Sequence, residues 1–175
     1  MVGIEVDRSV FDSELIQLGD FVVADAQALP FISYSFDLIF SFHVLEHIPD
    51  YKKALVEMHR VLRNNGVVFI GVPNKNRLLG YLGSENASLA DKIHWNLIDW
   101  KARITGKFKN EYGAHAGFSS VEMEGILNRH FKYVTELSLD YYQLLYPKYI
   151  RLITGLNKLN LAKYIFPAIF YAGIK

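Results

Sequence analysis

Three groups of polar residues interrupt otherwise apolar runs in this chain. The first is His43-Val-Leu-Glu46-His47, which follows the buried-looking run FDLIFS (36–41) and precedes Pro49-Asp50. If this segment is helical, positions 43, 46 and 47 share one face, so the two imidazoles and the carboxylate could transfer protons or ligate a divalent metal. The other two groups are carboxylates that close apolar runs, Glu5 after VGI and Asp25 after FVVA, the latter followed by Ala26. A strand-tip carboxylate can accept two hydrogen bonds from the vicinal hydroxyls of a ribose. A second one beside a backbone N–H can read a purine edge, accepting from the exocyclic amine while the N–H donates to a ring nitrogen. Each has a plainer reading as well. Strand-terminating acids also serve as solvated turn residues and helix caps, and His47 could simply pack at a helix entrance.

The elements that would position these residues follow from apolar periodicity. Short continuous apolar runs at 2–6, 21–25, 36–41 and 66–72 read as buried strands. Val10, Phe11, Leu15 and Leu18 give residues 8–18 a helical pattern. A second helix starts at the N-cap Asp50, carries the stripe Ala54, Leu55, Met58, Val61 and Leu62, and is expected to end at Asn64-Asn65-Gly66. Strands alternating with helices predict an α/β domain with a mostly parallel sheet, and ligands of such sheets bind at the carboxyl ends of the strands. Glu5, Asp25 and Ser41 all stand at such ends.

From 74 to 115 the pattern loosens into a polar and aromatic stretch with Trp95 and Trp100, expected to be partly helical. Ser119 and Glu122 read as a capping box ahead of a helix carrying Val121, Met123, Ile126, Leu127 and Phe131. Residues 133–139 and 168–174 read as closing strands. One domain therefore divides into a core (1–74), an insert or substrate cap (75–117) and C-terminal helices with closing strands (118–175).

A chain of 175 residues can bury a real core, and with half its residues hydrophobic and 14% aromatic it is not a disordered segment. The absence of cysteine excludes a disulfide scaffold, a thiolate zinc site and a thiol nucleophile, and it suits a reducing, cytoplasmic setting. Residues 1–70 hold ten acidic and five basic side chains, so the remainder is basic. An anionic substrate or membrane surface would suit that half, but a solvated basic face is the commoner cause, and nucleic-acid binding is not inferred. The opening MVGIEVD does not read as a signal peptide, and the apolar stretch from Ile165 to Ile174, interrupted by Pro167, is too short to span a bilayer.

Taken together, VGIEVD, ADAQALPF, SFDLIFSFHVLEHIPD and ALVEMHRVLRNNGVVFIGVPN closely resemble the class I S-adenosylmethionine-dependent methyltransferases, in order and spacing over residues 2–74. Within them the chain looks most like the branch that holds ubiquinone- and menaquinone-biosynthesis methyltransferases. The segment His115-Ala-Gly-Phe-Ser119 with its helix resembles the family's region after strand five. The resemblance implies a Rossmann-like fold and S-adenosyl-L-methionine as cofactor. It implies that Glu5, with Gly3 beside it, holds the ribose hydroxyls, that Asp25 and the Ala26 N–H hold the adenine, and that Ser41 and Phe42 line the methionine end. Methyl transfer is an in-line displacement at an activated sulfonium, for which a base is optional. His43 and His47 would then lie nearest the methyl, with His115 a candidate base from the far rim. Some relatives bind a divalent metal through Glu-x-x-Glu-His. Here His43 stands for the first Glu, so metal binding by His43, Glu46 and His47 is the minority reading and no metal is expected.

This sequence also departs from the family. The family's sheet order is 3-2-1-4-5-7-6, and its first strand and glycine-rich G-x-G-x-G turn precede the strand with the ribose acid. No G-x-G occurs here, and only Met1-Val2 stand before Gly3. Without that unit two half-sheets with bare apolar edges are expected. Truncation of a longer product is the favoured explanation, ahead of a partner chain supplying the unit or direct pairing of strands 2 and 4, and the chain alone is expected to bind the cofactor poorly or not at all. The acceptor would be a small molecule or lipid-like. Tyr141, Tyr142, Tyr146 and Tyr149, with Lys148, Arg151, Lys158 and Lys163, could line an apolar pocket or touch a membrane, although core packing with outward lysines is the expected arrangement. A homo-oligomer is left open. The rival reading is a non-catalytic methyltransferase-like binding or assembly protein.

Overall fold

The computed structural model describes residues 1–7, 19–80, 87–106 and 116–175. The elements run β1 (Val2–Glu5), β2 (Asp20–Val23), β3 (Phe36–Phe42), a 3-10 turn (Leu45–His47), α1 (Tyr51–Val61) and β4 (Leu62–Pro73). They continue through α2 (Leu89–Thr105), α3 (Ser120–Leu127), β5 (Lys132–Glu136) and α4 (Ser138–Leu145). A second 3-10 turn (Pro147–Tyr149), α5 (Ile150–Lys158), α6 (Ala162–Ile165) and β6 (Ala168–Ile174) complete the chain. The helix read over 8–18 and the candidate base His115 lie outside the described residues.

Strict alternation along β4 and β6 builds two cores, one on each face of the sheet. Val68, Ile70 and Val72 of β4 with Ile169 and Tyr171 of β6 meet Leu55 and Met58 of α1 and Met123 and Leu127 of α3. Phe69, Ala168 and Phe170 point the other way, toward Tyr142 of α4, Ile153 of α5 and Ala162 of α6. Successive strand side chains alternate faces, so one apolar run serves two helical layers.

The strands form two separate sheets. β1 and β2 pair in parallel from Val2↔Asp20 to Glu5↔Val23. The larger sheet has the order β3-β4-β6-β5. In it β3, β4 and β5 run one way, and β6 runs against both of its neighbours. Among the described residues no strand joins the two sheets, the separation expected from the sequence. β3 is therefore an edge, with Leu38 60% and Phe40 63% exposed.

Helix α1 starts where its cap dictates. The Asp50 carboxylate accepts the Lys53 N–H at 3.2 Å, satisfying one of the donors orphaned at a helix start. Its end differs from expectation. The helix stops at Val61, and Asn64-Asn65-Gly66 lies inside β4. There Asn65 takes φ 63°, and the pairing jumps from Phe36↔Leu62 to Leu38↔Val67, so the polar triplet forms an irregularity in the ladder. Lys175 closes the carboxyl end of α1, its Nζ donating to the carbonyls of His59 (2.7 Å) and Leu62 (2.8 Å). A cation there complements the helix dipole.

Three other expectations are corrected. The run 133–139 divides into β5 and the start of α4, because Ser138 Oγ donates to the Glu136 carboxylate (2.8 Å) and accepts the Phe170 N–H (3.0 Å), which turns the chain. Phe131 lies beyond the end of α3, although its ring still packs into the core. The tail follows core packing only in part: Tyr141 and Tyr142 join the second core and the lysines face outward, whereas Tyr146 and Tyr149 are exposed. Tyr142 and Ile153 are buried, but all nine residues from 144 to 152 are exposed.

Candidate functional site

The parallel pairing of β1 and β2 brings their carboxyl ends side by side, and the Ala24 N–H donates to the Glu5 carbonyl at 3.0 Å. Glu5 and Asp25 thus stand on one rim. The Glu5 carboxylate accepts the N–H of Val6 at 2.8 Å. Asp25 is exposed and held by Gln27, whose backbone N–H donates to Oδ1 at 2.8 Å and whose amide reaches Oδ1 and Oδ2 at 3.1 and 3.0 Å. The backbone donor contributes most to holding its pKa below the ordinary carboxylate value. Gly3, inside β1, pairs with Phe21, whose ring lies where a side chain would stand. That contact gives the glycine a packing role of its own.

The segment from Ala24 to Ser35 is fixed to α1 by Arg60. Its guanidinium donates to the carbonyls of Phe31 (2.7 Å) and Leu29 (3.0 Å) and pairs with Glu57 at 2.7 Å. Glu57 in turn accepts the Leu29 N–H at 2.8 Å. Ala26 packs against the main core. The turn carrying Asp25 is therefore anchored, although its carboxylate reaches water.

At the tip of β3 the register places Ser41 opposite Ile70 and Phe42 opposite Gly71, and the His43 N–H donates to the Gly71 carbonyl at 2.9 Å. Phe42 belongs to the aromatic group on the second face, with its ring centroid 5.0 Å from Phe170 and 5.4 Å from Phe69. Ser41 is buried, and its Oγ has no hydrogen-bond partner. His43 adopts φ 51°, a left-handed conformation that turns the chain sharply into the 3-10 turn.

That turn sinks Glu46 into the protein. Its side chain is buried, with Oε1 3.3 Å from His43 Nδ1 and 3.9 Å from His47 Nε2, and Oε2 without a partner. Both imidazoles lie more than half exposed. Among the described residues no group of three His, Asp or Glu side chains is arranged to hold a metal ion. The helical face on which the metal reading depended is a single 3-10 turn, so His43, Glu46 and His47 instead form a carboxylate flanked by two rings.

Sequence reasoning missed the burial of one residue here and the role of another. Glu46 stands out by its spacing from His43 and His47, but nothing in the sequence shows that the turn buries it. Asn74, just past β4, is 2% exposed and binds the tail, its Nδ2 donating to the carbonyls of Lys163 (2.9 Å) and Phe166 (2.8 Å). An asparagine ending a strand gives only a turn signal. Beside it, Gly117 takes φ 75°, and a Cβ at this position would run into the Pro73 carbonyl, a place only glycine fills without strain. Tyr51, Lys75, Phe118 and Glu122 line an open cleft there, with Lys75 Nζ 2.9 Å from Glu122.

This architecture, strands ending on a polar rim with helices on both faces and an antiparallel closing strand, is the Rossmann-like class I methyltransferase fold. Residues 3–70, about two fifths of the chain, match the methyltransferase domain family. The demethylmenaquinone methyltransferase of Staphylococcus epidermidis is 49% identical over 55 residues, which are 31% of this chain and 22% of that protein. The ubiquinone/menaquinone biosynthesis C-methyltransferase of Rickettsia typhi is 42% identical over 59 residues, 34% of this chain and 24% of its own. The match spans about a quarter of the length of the curated relatives. In fold, the chain is similar to the phosphoethanolamine N-methyltransferase 2 of Haemonchus contortus, solved with S-adenosyl-L-methionine (TM-score 0.57, 18% identity, 99% of this chain and 43% of that one). It is also similar to the YcgJ protein of Bacillus subtilis (TM-score 0.54, 15% identity, 99% and 81%).

Proposed function

We propose that the protein transfers a methyl group from S-adenosyl-L-methionine to an oxygen, nitrogen or carbon atom of a small or lipid-like acceptor. The observation that carries this reading is the row of polar groups at three strand ends: Glu5 and Asp25 on one rim, and Ser41 with an orphaned buried hydroxyl at the tip of β3. A buried polar atom without a partner suits a site that a polar ligand completes.

In this reading Glu5 accepts from the ribose hydroxyls, Asp25 and the Ala26 N–H hold the adenine, and Ser41 and Phe42 border the methionine moiety. Gln27 now occupies both Asp25 oxygens and must give up part of that contact. The cofactor, when bound, supplies a methyl group already activated on sulfur. The chain's own task is then to align the acceptor and exclude water. His43 and His47, exposed beside the β3 tip, are the candidates to take a proton from the acceptor. The quinone-methyltransferase relatives favour an aromatic or lipid-like acceptor, and the cysteine-free composition favours the cytoplasm.

The test is a ¹H–¹⁵N NMR titration of the chain with S-adenosylhomocysteine into the millimolar range, which detects weak binding and locates it. The amides of Val6, Ala26, Ser41 and Phe42 should shift together, and the double variant Glu5→Ala, Asp25→Ala should abolish those shifts. Shifts at other positions while those four amides stay unmoved, with the spectrum of a folded protein, would overturn the assignment.

A further inference from the structure

The tail has a composition unlike the rest of the chain. From residue 141 to 175 there is no Asp or Glu, while Lys148, Arg151, Lys158 and Lys163 fall within one stretch of sixteen positions. Leu-Leu-Tyr-Pro-Lys-Tyr-Ile-Arg-Leu (144–152) is exposed throughout, with Leu144 83% and Leu152 60% accessible, and Leu159 follows at 70%. Aliphatic side chains this accessible, interleaved with cations, were not required by the core. Ile153 alone of α5 is buried, and it packs with Tyr142 and Phe166.

Helix periodicity arranges this surface. Opposite buried Ile153, positions 151, 155 and 158 run along one side of α5 and positions 152 and 159 along the next, so a basic edge borders a leucine edge. The platform is firm, because Gln143 Nε2 of α4 donates to Thr154 Oγ1 of α5 at 2.8 Å. The turn before α5 surrounds an open cleft lined by Lys148, Tyr149 and Arg151.

We propose that the end of α4, the Pro147–Tyr149 turn and α5 dock on an anionic lipid bilayer, lying in the headgroup plane. An interfacial helix buries its apolar edge at the acyl boundary while basic side chains meet lipid phosphates, and tyrosines favour that depth. Charge decides against the two other occupants. A second copy in a two-fold contact would press this acid-free basic patch against itself. A polyanion such as RNA would pair with the cations but leave Leu144, Leu152 and Leu159 in water. No helix among the described residues is long and apolar enough to cross a membrane, so the contact is peripheral. The proposal does not depend on the methyl-transfer reading, since no cofactor enters its test.

The experiment is flotation of the whole chain with vesicles of phosphatidylcholine alone and of phosphatidylcholine containing one third phosphatidylglycerol, at low and high salt. The chain should float with the anionic vesicles and be released by salt. Lys148→Gln and Arg151→Gln should each lower partitioning about fivefold, and the pair Leu152→Gln, Leu159→Gln should remove it with the circular-dichroism spectrum unchanged. All these positions are exposed, so the fold should tolerate the changes. Failure to float, or flotation indifferent to both sets of variants, overturns the proposal. So does a dimer in light scattering that only the leucine variants disperse, which would assign the surface to a second copy.

Discussion

The Glu46 carboxylate, 3% exposed, lies 3.3 Å from Nδ1 of His43, a ring that is itself more than half in water. A buried carboxylate beside an exposed imidazole sets which ring nitrogen carries the proton. A proton on Nδ1 would face that carboxylate, which favours the tautomer that leaves Nε2 as the outward acceptor. Replacement of Glu46 by leucine, of similar volume, should cost little stability or raise it by about 1–2 kcal/mol, since an apolar side chain does not strand Oε2. The same change should move His43 to the Nε2–H tautomer, read from imidazole ¹⁵N shifts above neutral pH. A large loss of stability with an unchanged tautomer would make Glu46 a structural residue and not the orienter of His43.

Asn74 should be costly to replace. Its side chain is the partner of the Lys163 and Phe166 carbonyls and of the Asn76 N–H (2.9 Å), so it joins the end of β4 to the tail. Asn74→Ala leaves the buried Phe166 carbonyl and two half-buried groups without this partner, at about 2–4 kcal/mol in total. Asn74→Asp should cost more, because a carboxylate cannot donate to two carbonyls. Urea denaturation with an unchanged slope is the measurement. A shift below about 1 kcal/mol would mean that water replaces the amide.

The helix α3 carries an acid-sensitive cap. Glu122 donates no proton at neutral pH. Its carboxylate accepts Lys75 Nζ at 2.9 Å and the Ser119 N–H at 2.9 Å, and these donors, Lys75 foremost, hold its pKa down to about 2 against an ordinary value of 4.5. A folded-state pKa depressed in this way stabilises the protein fully above the unfolded value and is lost as pH falls through the folded one. The melting-temperature gap between wild type and Glu122→Gln should therefore be constant above pH 5 and close between about pH 4.5 and 2. It should also be small, because the pair is half exposed and screened by solvent. A gap that persists at pH 2 would assign it to packing of the side chain and not to its charge.

What the sequence disclosed and what it hid follow from the range of the forces involved. The continuous run AIFYAGI announced β6 because both faces of a covered sheet must be apolar, FDLIFS announced β3 as an apolar run although one of its faces is bare, and the Ser119–Glu122 box announced α3 because it is a local bond. The fate of 138–145 was hidden, since Leu137-Ser138-Leu139 alternates like a strand and only the contact of Ser138 with Phe170, distant in sequence, turns it into α4. Asn65 likewise read as a helix terminator, yet pairing with β3 absorbs it as an irregularity. At the candidate site, residue types at strand ends were visible. The burial of Glu46 was not, because it depends on a left-handed His43 that no spacing rule encodes. The exposed leucines of α5 escaped for the same reason, as amphipathicity reveals that a face exists but not whether anything covers it.

The bare edge of β3 makes the last prediction. Leu38 and Phe40 lie on one face of a strand whose backbone, among the described residues, is paired only with β4, and Phe40 stacks on Phe69 (5.9 Å) and lies tilted against Phe42 (4.0 Å) while staying 63% exposed. Exposed apolar edges recruit further strands, and natural proteins blunt them with lysine. The chain should therefore self-associate as its concentration rises, and Leu38→Lys should suppress this with little loss of stability. Phe40→Lys should suppress it too, while losing about 1–2 kcal/mol of ring contacts. Sedimentation velocity over a range of concentrations separates the cases. Association abolished at Leu38 places the sticky surface on the β3 edge, whereas association that survives both lysines and disappears with Leu152→Gln would move it to α5.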